Sequence, residues 1–297
     1  MGVTDTAPDV RAAGRLIRSM AIASLLANIA IVVTGGAVRL TGSGLGCPTW
    51  PRCTAQSFVP HGELGLHGVI EFGNRMLTFV LAAVALVTFL TALRYGRRSL
   101  TRVALLLGLG IPAQALIGGL TVLTDLNPWI VAFHFLVSMA LIGLSVLLLV
   151  KLEEGDGPPV LLVPLRVRRL VVATFCTAWV VLYVGTVVTG SGPHAGDVDA
   201  PRNGLDPQLL SHVHAGFVYL LVALTVAVTL AYHRGTAPRQ ARTAALTLLG
   251  IELAQGTIGF WQYLTDLPEL LVGLHMLGAA LLSAAATWLL LSVRTRS

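Results

Sequence analysis

Ala113–His134 reads AQALIGGLTVLTDLNPWIVAFH, and Ala254–His275 reads AQGTIGFWQYLTDLPELLVGLH. The two stretches are offset by 141 positions: Gln114 matches Gln255, Asp125 matches Asp266 and His134 matches His275, with no gap. A gap-free match of this kind says that one half of the chain repeats the other. Each copy joins two apolar runs through the short turn Leu-Thr-Asp-Leu and closes on a histidine inside an apolar run. An imidazole there is expensive in lipid and implies a function.

Working outward, the 297 residues are 55% apolar and 11% charged, with a mean hydropathy of +0.80. A soluble chain carries roughly 25% charged residues, so this composition describes an integral membrane protein. Eight apolar runs are long enough to cross a hydrocarbon core of about 30 Å: 17–38, 71–93, 102–123, 129–150, 169–190, 208–231, 243–264 and 270–292. The predicted fold is all-α, with eight transmembrane helices arranged as two tandem four-helix bundles. Four spans per half is an even number, so the repeat is parallel, unlike the inverted repeats of many transporters. The expected divisions are a cytoplasmic tail over 1–16, whose opening dozen residues read as disordered, an N-terminal bundle over 17–152, a proline-punctuated cytoplasmic linker over 153–168 and a C-terminal bundle over 169–293.

The net charge of +6 is topological and does not mark a nucleic-acid partner. Arg11, Arg15 and Arg18 precede the first span, and Arg94, Arg97, Arg98 and Arg102 follow the second. Lys151, Arg166, Arg168 and Arg169 follow the fourth, Arg234, Arg239 and Arg242 follow the sixth, and Arg294 and Arg296 close the chain. With eight spans all of these fall on one side, which the positive-inside rule makes the cytoplasm, with both termini in it. No cleavable signal peptide is expected before the first run, since residues 1–15 are polar. Only Arg39, Arg52, Arg75 and Arg202 lie elsewhere.

The first outer segment, TGGAVRLTGSGLGCPTWPRC (Thr34–Cys53), contains Cys47 and Cys53. Outside the cell such a pair favours a disulfide over two free thiols, and the loop offers no four-ligand set for zinc. Cys176 falls in the fifth span and is read as a small buried apolar residue. The second span opens LHGVIEFGNRMLTF, where His67, Glu71, Asn74 or Arg75, and Thr78 share one helical face. That stripe is either an interfacial ion pair or the wall of a polar site. The fifth span ends VGTVVTGSGPHAGD, echoing the TGSG that ends the first.

In the second half, His214 and His275 fall at similar depth, each within about two turns of the outer end of its span. Two neutral imidazoles facing each other across a bundle form the axial pair of a haem iron; the plainer alternative is two independently hydrogen-bonded bundle histidines. His212 points to a different face from His214, and His61 and His194 belong to outer segments. In the first half His134 is present, but Asn74 takes the place of His214 and Glu71 the place of Ser211. The halves therefore have different tasks.

Together, GGAVRLTGSGLGCPTWPRC, IEFGNR, the two Gln-to-His segments and the pair His214 and His275 resemble the haem A synthase family, over residues 17–292. The resemblance implies an oxidoreductase of the cell membrane that converts a ring methyl group of haem O to the formyl group of haem A by successive hydroxylations. It implies a resident haem b between His214 and His275, and substrate haem O in the first half on His134. It further implies that Glu71 is needed for turnover, that Asn74 and Arg75 border the cofactor and substrate haem, and that Cys47 and Cys53 are the outer-loop pair. The basic side chains Arg39, Arg52 and Arg75 suit haem propionates. The implied partners are haem O and haem A, membrane lipid, a haem O synthase and cytochrome oxidase assembly factors, and a homo-oligomer is left open. The family's E-x-x-H-R motif reads Glu71-Phe-Gly-Asn74-Arg75 here, so the substrate iron has His134 alone or takes His67 as a second ligand. The rival readings are a di-haem b electron carrier, which calls for two equivalent histidine pairs, and a haem transporter, which the short loops and parallel repeat disfavour.

Overall fold

The computed structural model describes residues 7–297, with side chains from Ala13 onward. Eight helices are long and apolar enough to cross a membrane: α1 (Ala7–Leu40), α2 (Gly65–Tyr95), α3 (Arg98–Leu123), α4 (Pro128–Glu153), α5 (Leu165–Ser191), α6 (Pro207–Arg234), α7 (Arg239–Leu264) and α8 (Glu269–Leu291). They are apolar around most of their circumference, as lipid-facing helices must be. All but α8 outrun their apolar stretches, because a helix satisfies its own backbone well past the last apolar residue. The largest extension is at the start: the expected unstructured tail is helical from Ala7, while its first six residues lie outside the described part.

Helices α1 to α4 pack in sequence, with α1 also against α4. Helices α5 to α8 do the same, with α5 against α8, and α4 and α8 meet between the two groups. The join is close and largely apolar, with Val32, Met139 and Ile142 of the first half packed into the second half's core. Ser283 Oγ donates to the Met139 carbonyl at 2.8 Å; a Cβ on Gly143 would meet Thr287 at 3.0 Å, and one on Gly36 would meet Met276 at 2.9 Å. The Leu-Thr-Asp-Leu turn takes the same strained form in both copies. Asp125 and Leu126 have φ of 52° and 59°, and Asp266 and Leu267 have φ of 57° and 59°, in a region that few side-chain-bearing residues adopt. Leu126 N–H donates to the Thr121 carbonyl and Leu267 N–H to the Gln262 carbonyl, both at 2.8 Å.

The linker holds a feature that its sequence does not signal. Pro159–Leu161 (β1) pairs antiparallel with Arg294–Arg296 (β2), with Pro159 opposite Arg296. The C-terminal tail is thereby clasped to the connection between the halves. Gly155 N–H donates to Arg296 O and Gly157 N–H to Ser297 O, and a Cβ on Gly155 would fall 2.0 Å from the Ser297 carbonyl. Arg97 pairs with Asp156 at 2.9 Å and Arg18 with Glu153 at 3.1 Å on the same side. At the opposite end Gly44 N–H donates to Gly196 O at 2.7 Å, and Arg39 donates to the carbonyls of Thr189 and His194, so the end of α1 and the segment after α5 hold each other.

The aliphatic cores lie toward the end that carries the termini. Ile17, Ala21, Ala85, Leu107, Ile111 and Leu148 belong to one, and Val171, Leu221, Val228, Ala245, Leu248 and Leu289 to the other. Beyond them the helices face one another with histidines, an asparagine and glycines.

Candidate functional site

Asp206 caps α6 by accepting from Gln208 N–H at 2.8 Å and Leu209 N–H at 3.1 Å, with Pro207 in the first helical position. That fixes where α6 begins and places His214 two turns inside it. The Thr265–Pro268 turn does the same for α8 and places His275. The two rings come together, with centroids 6.5 Å apart and planes at 71°. Metal–nitrogen bonds of about 2 Å, plus about 1.1 Å from each nitrogen to its ring centre, would separate two opposed imidazoles by roughly 6 Å. Both Nδ1 atoms are buried without a hydrogen-bond partner; the Val181 carbonyl approaches the His214 ring but falls short of hydrogen-bonding geometry. Each ring rests its Cε1 edge on a glycine, where a Cβ would stand 3.2 Å away at Gly185 and 3.5 Å away at Gly259. Paired unsatisfied imidazoles over bare backbone fit a bis-histidine haem.

In the first half His134 has the same setting. Its Nδ1 is buried and unpartnered, and a Cβ on Gly118, 141 positions before Gly259, would lie 3.2 Å from its Cε1. Gln114 donates to the His134 carbonyl at 3.0 Å and to Ser138 Oγ at 2.5 Å, which fixes this turn of α4. Asn74 occupies the slot that corresponds to His214. Its Oδ1 is buried without a partner, and its Nδ2 lies 4.0 Å from a Cβ built on Gly35. All four slots therefore face a glycine. The sequence carried this signal for Gly118 and Gly259, which are part of the repeated Ile-Gly, but not for Gly35 and Gly185. His67 is exposed and hydrogen-bonded to Ser43 Oγ at 3.0 Å, at the mouth of the bundle.

The segment that carries Cys47 and Cys53 closes over this half. Cys47 and Cys53 form a disulfide with Cα atoms 4.4 Å apart, and both are fully buried. Glu71 is 5% exposed; its Oε2 accepts from the Cys47 N–H and its Oε1 from Arg75 Nε at 3.1 Å and from Arg75 Nη2. Arg75 also donates to the carbonyls of Thr49 at 2.9 Å, Arg52 at 3.2 Å and Cys47 at 3.0 Å. Its five donors are all engaged, so Arg75 organises the loop, and a propionate would have to displace one of these carbonyls. The Glu71–Arg75 pair is therefore shielded and bound to the loop backbone, and is not a solvated ion pair. Trp50 lies flat against α3, where a Cβ on Gly119 would meet its ring at 2.4 Å, one residue from the glycine under His134.

The remaining residues from the sequence reading go elsewhere. Arg39 is spent on the inter-half carbonyls, and Arg52 is exposed, donating to Ala55 O and lying 5.2 Å from the Phe58 ring. His194 donates from Nε2 to the Leu267 carbonyl at 2.9 Å. His212 is exposed, with its ring 6.2 Å from that of Tyr263, and His61 is exposed. Cys176 corrects the expectation of burial: it sits on the outward face of α5, because a small apolar residue in a membrane helix is as comfortable against lipid as in the core.

The fold and these residues define a multi-pass α-helical membrane protein in which one half brings two histidines together and the other sets His134 and Asn74 beneath a disulfide-closed loop. The chain belongs to the COX15-CtaA family of cytochrome oxidase assembly proteins, whose family model matches residues 18–67 and 63–196, more than half of it. It is similar to the heme A synthase of Bacillus mycoides (strain KBAB4), at 29% identity over 182 residues, covering 59% of this chain and 57% of that one. It is 27% identical over 234 residues to the heme A synthase of Bacillus cereus (strain 03BB102), covering 72% and 74%. A third likeness, to the heme A synthase of Lysinibacillus sphaericus (strain C3-41), is 28% over 180 residues, covering 59% and 58%. The matched region thus spans under two thirds of the first and third relatives and about three quarters of the second.

Proposed function

We propose that this protein is a haem A synthase of the cell membrane: an oxidoreductase that converts a methyl group of haem O to the formyl group of haem A for cytochrome oxidase assembly. The observation that carries the reading is the inequality of the two halves. One has two opposed, unsatisfied imidazoles 6.5 Å apart, and the other has His134, an unsatisfied Asn74 and a buried Glu71–Arg75 pair. The family and the names of the relatives point the same way.

In this reading His214 and His275 hold haem b, which supplies one-electron transfer when bound. His134 holds the substrate haem from one side, with Gln114 fixing its backbone. Asn74, a poor iron ligand, leaves the other face open to the reaction, while His67 remains at the mouth with Ser43. Glu71 takes or gives a proton at Oε2, the oxygen that meets only the Cys47 amide, while Oε1 stays clamped by Arg75. Trp50 and the disulfide loop exclude water from the outer end. Both termini face the cytoplasm and the Cys47–Cys53 loop faces outward, following the distribution of basic residues. The N-terminal bundle over 17–152 serves the substrate and the C-terminal bundle over 169–293 the cofactor. A haem O synthase delivers the substrate, and cytochrome oxidase assembly factors receive the product.

The test is to express the chain in a host that makes haem O but lacks its own haem A synthase, then to identify the extracted haems. Appearance of haem A, lost in His134→Ala and Glu71→Ala, supports the assignment. Absence of haem A from a folded, haem b-loaded wild type would refute it in favour of an electron carrier.

A further inference from the structure

The half with the histidine pair also contains a carboxylic acid that the reaction above does not use. Glu252 lies near the middle of α7 and is 3% exposed. Its Oε1 accepts a hydrogen bond from Thr225 Oγ1 at 2.8 Å, and Thr225 is fully buried. Its Oε2 is buried with no partner, and Glu252 takes part in none of the ion pairs among the described residues. Such a group inside a membrane bundle is costly and calls for a cause.

Packing is not the cause, because the other half of the protein packs without it. At the repeat offset of 141, Glu252 corresponds to Ile111; at 140, the offset that aligns His214 with Asn74, Thr225 and Tyr232 correspond to Ala85 and Ala92. Ile111, Ala85 and Ala92 are all buried in the first half's core. The polar trio appears only in the half that has two histidines.

Its position couples it to them. Glu252 precedes Gly259, the glycine under His275, by two helical turns, about 10 Å along α7 and on the same face. Thr225 follows His214 by three turns on α6. Helix α7 packs against α6 and α8. The titratable or charged groups on α6 are His212, His214, Tyr219, Tyr232, His233 and Arg234; those on α8 are Glu269 and His275, and α7 itself adds Arg239, Arg242 and Tyr263. His212, Tyr219, His233, Arg234, Arg239, Tyr263 and Glu269 are exposed, and Arg242 lies at the far end of α7, donating to the Gly235 carbonyl. Only His214, His275 and Tyr232 share the bundle interior with Glu252. An ionised Glu252 therefore has one available counter-charge, that of an oxidised iron held between the two histidines.

We propose that Glu252, with Thr225, is a proton-binding site coupled to the electron held between His214 and His275. The site between the histidines gains one electron from an external reductant, and Glu252 Oε2 forms one O–H bond with a proton from solvent; both leave together on reoxidation. Oε2 is the oxygen that takes the proton, because Oε1 already accepts from Thr225. Tyr232, two turns beyond Thr225 on the same face of α6, with its hydroxyl buried beside Ser292, marks the side of the membrane from which the proton arrives. The proposal rests on the haem b assignment made above.

The test is spectroelectrochemistry of the full, haem-loaded chain in detergent at a series of pH values. In the wild type the midpoint potential falls as pH rises, by up to about 59 mV per unit for one proton per electron. Glu252→Gln keeps the shape and the Thr225 hydrogen bond but loses that slope. Glu252→Ile combined with Thr225→Ala, the residues of the first half, loses it as well, while both variants keep the absorption spectrum of the bis-histidine haem. The reduced-minus-oxidised infrared spectrum carries a deuterium-sensitive carboxyl band in the wild type that is missing from Glu252→Gln. Equal slopes and equal infrared spectra in the wild type and Glu252→Gln overturn the proposal. A haem spectrum that survives both His214→Ala and His275→Ala instead overturns the haem assignment beneath it.

Discussion

Replacing Arg75 with methionine should loosen the disulfide loop by an amount that its contacts allow to be worked out. The substitution removes the donors to the carbonyls of Thr49, Arg52 and Cys47 and strands Glu71, whose side chain is 7% exposed against 17% for Arg75. The bond to Arg52 is solvent-exposed and is discounted. Two to three net hydrogen bonds at about 1 kcal/mol each make loop opening easier by about 2–3 kcal/mol, roughly 30- to 150-fold in the opened population. An unpaired buried carboxylate adds to this. Cys47 and Cys53 are both fully buried, so a reductant reaches them only from the opened loop, and the reduction rate reports that population. The assay is reduction of intact protein by a membrane-impermeant phosphine, followed by thiol labelling and mass detection. Glu71→Gln leaves the Arg75 donors on the three carbonyls and should accelerate reduction only about 10-fold, the equivalent of about 1.4 kcal/mol. A rate for Arg75→Met within about threefold of wild type, or one slower than Glu71→Gln, would refute the view that Arg75 organises the loop.

Other consequences are simpler to state. Gly185→Ala pushes a methyl group to 3.2 Å from the His214 ring; an overpacking cost of about 1–3 kcal/mol should weaken haem retention by roughly 5- to 150-fold in a dilution assay. Gly250→Ala, whose Cβ meets nothing within 4 Å, should leave retention unchanged. Gly119→Ala collides with the Trp50 ring and should raise Trp50 solvent exposure, read as a red-shifted fluorescence difference against the Trp50→Phe variant. Gly155→Ala collides with the C-terminal residue and should release the tail, seen as faster carboxypeptidase trimming with the haem spectrum preserved.

Much of this was legible in the chain itself. Spans are set by apolar length, and the 141-position repeat placed His134 and His275 in equivalent turns, which the matching left-handed Leu-Thr-Asp-Leu geometry reflects. The approach of His214 and His275 was legible because two histidines at equal depth in one bundle have few other places to point. What stayed hidden depends on tertiary approach. The β1–β2 clasp is two three-residue strands, too short for any periodicity, and is held together from residues more than a hundred positions apart. Arg75 looked free for a propionate because nothing in IEFGNR shows that the carbonyls of Thr49, Arg52 and Cys47 converge on it. Glu252 passed unnoticed as one acid in an apolar helix; its meaning appears only when Thr225 is found against it and Ile111 is found in its place in the other half. The glycines at positions 35 and 185 lie outside the gap-free repeat, so only the folded helices reveal that they lie beside Asn74 and His214 as Gly118 and Gly259 lie beside His134 and His275.

The central claim is that one half holds a fixed haem on two histidines while the other holds a haem to be changed. The most direct measurement is the identity and stoichiometry of haems extracted from purified wild type, His134→Ala and His214→Ala, by chromatography with mass detection, from cells supplied with haem O. The account predicts haem b together with haem O or haem A in the wild type, selective loss of the haem O and haem A fraction in His134→Ala, and selective loss of haem b in His214→Ala. Two equivalents of haem b per chain, whatever the haem O supply, would contradict it.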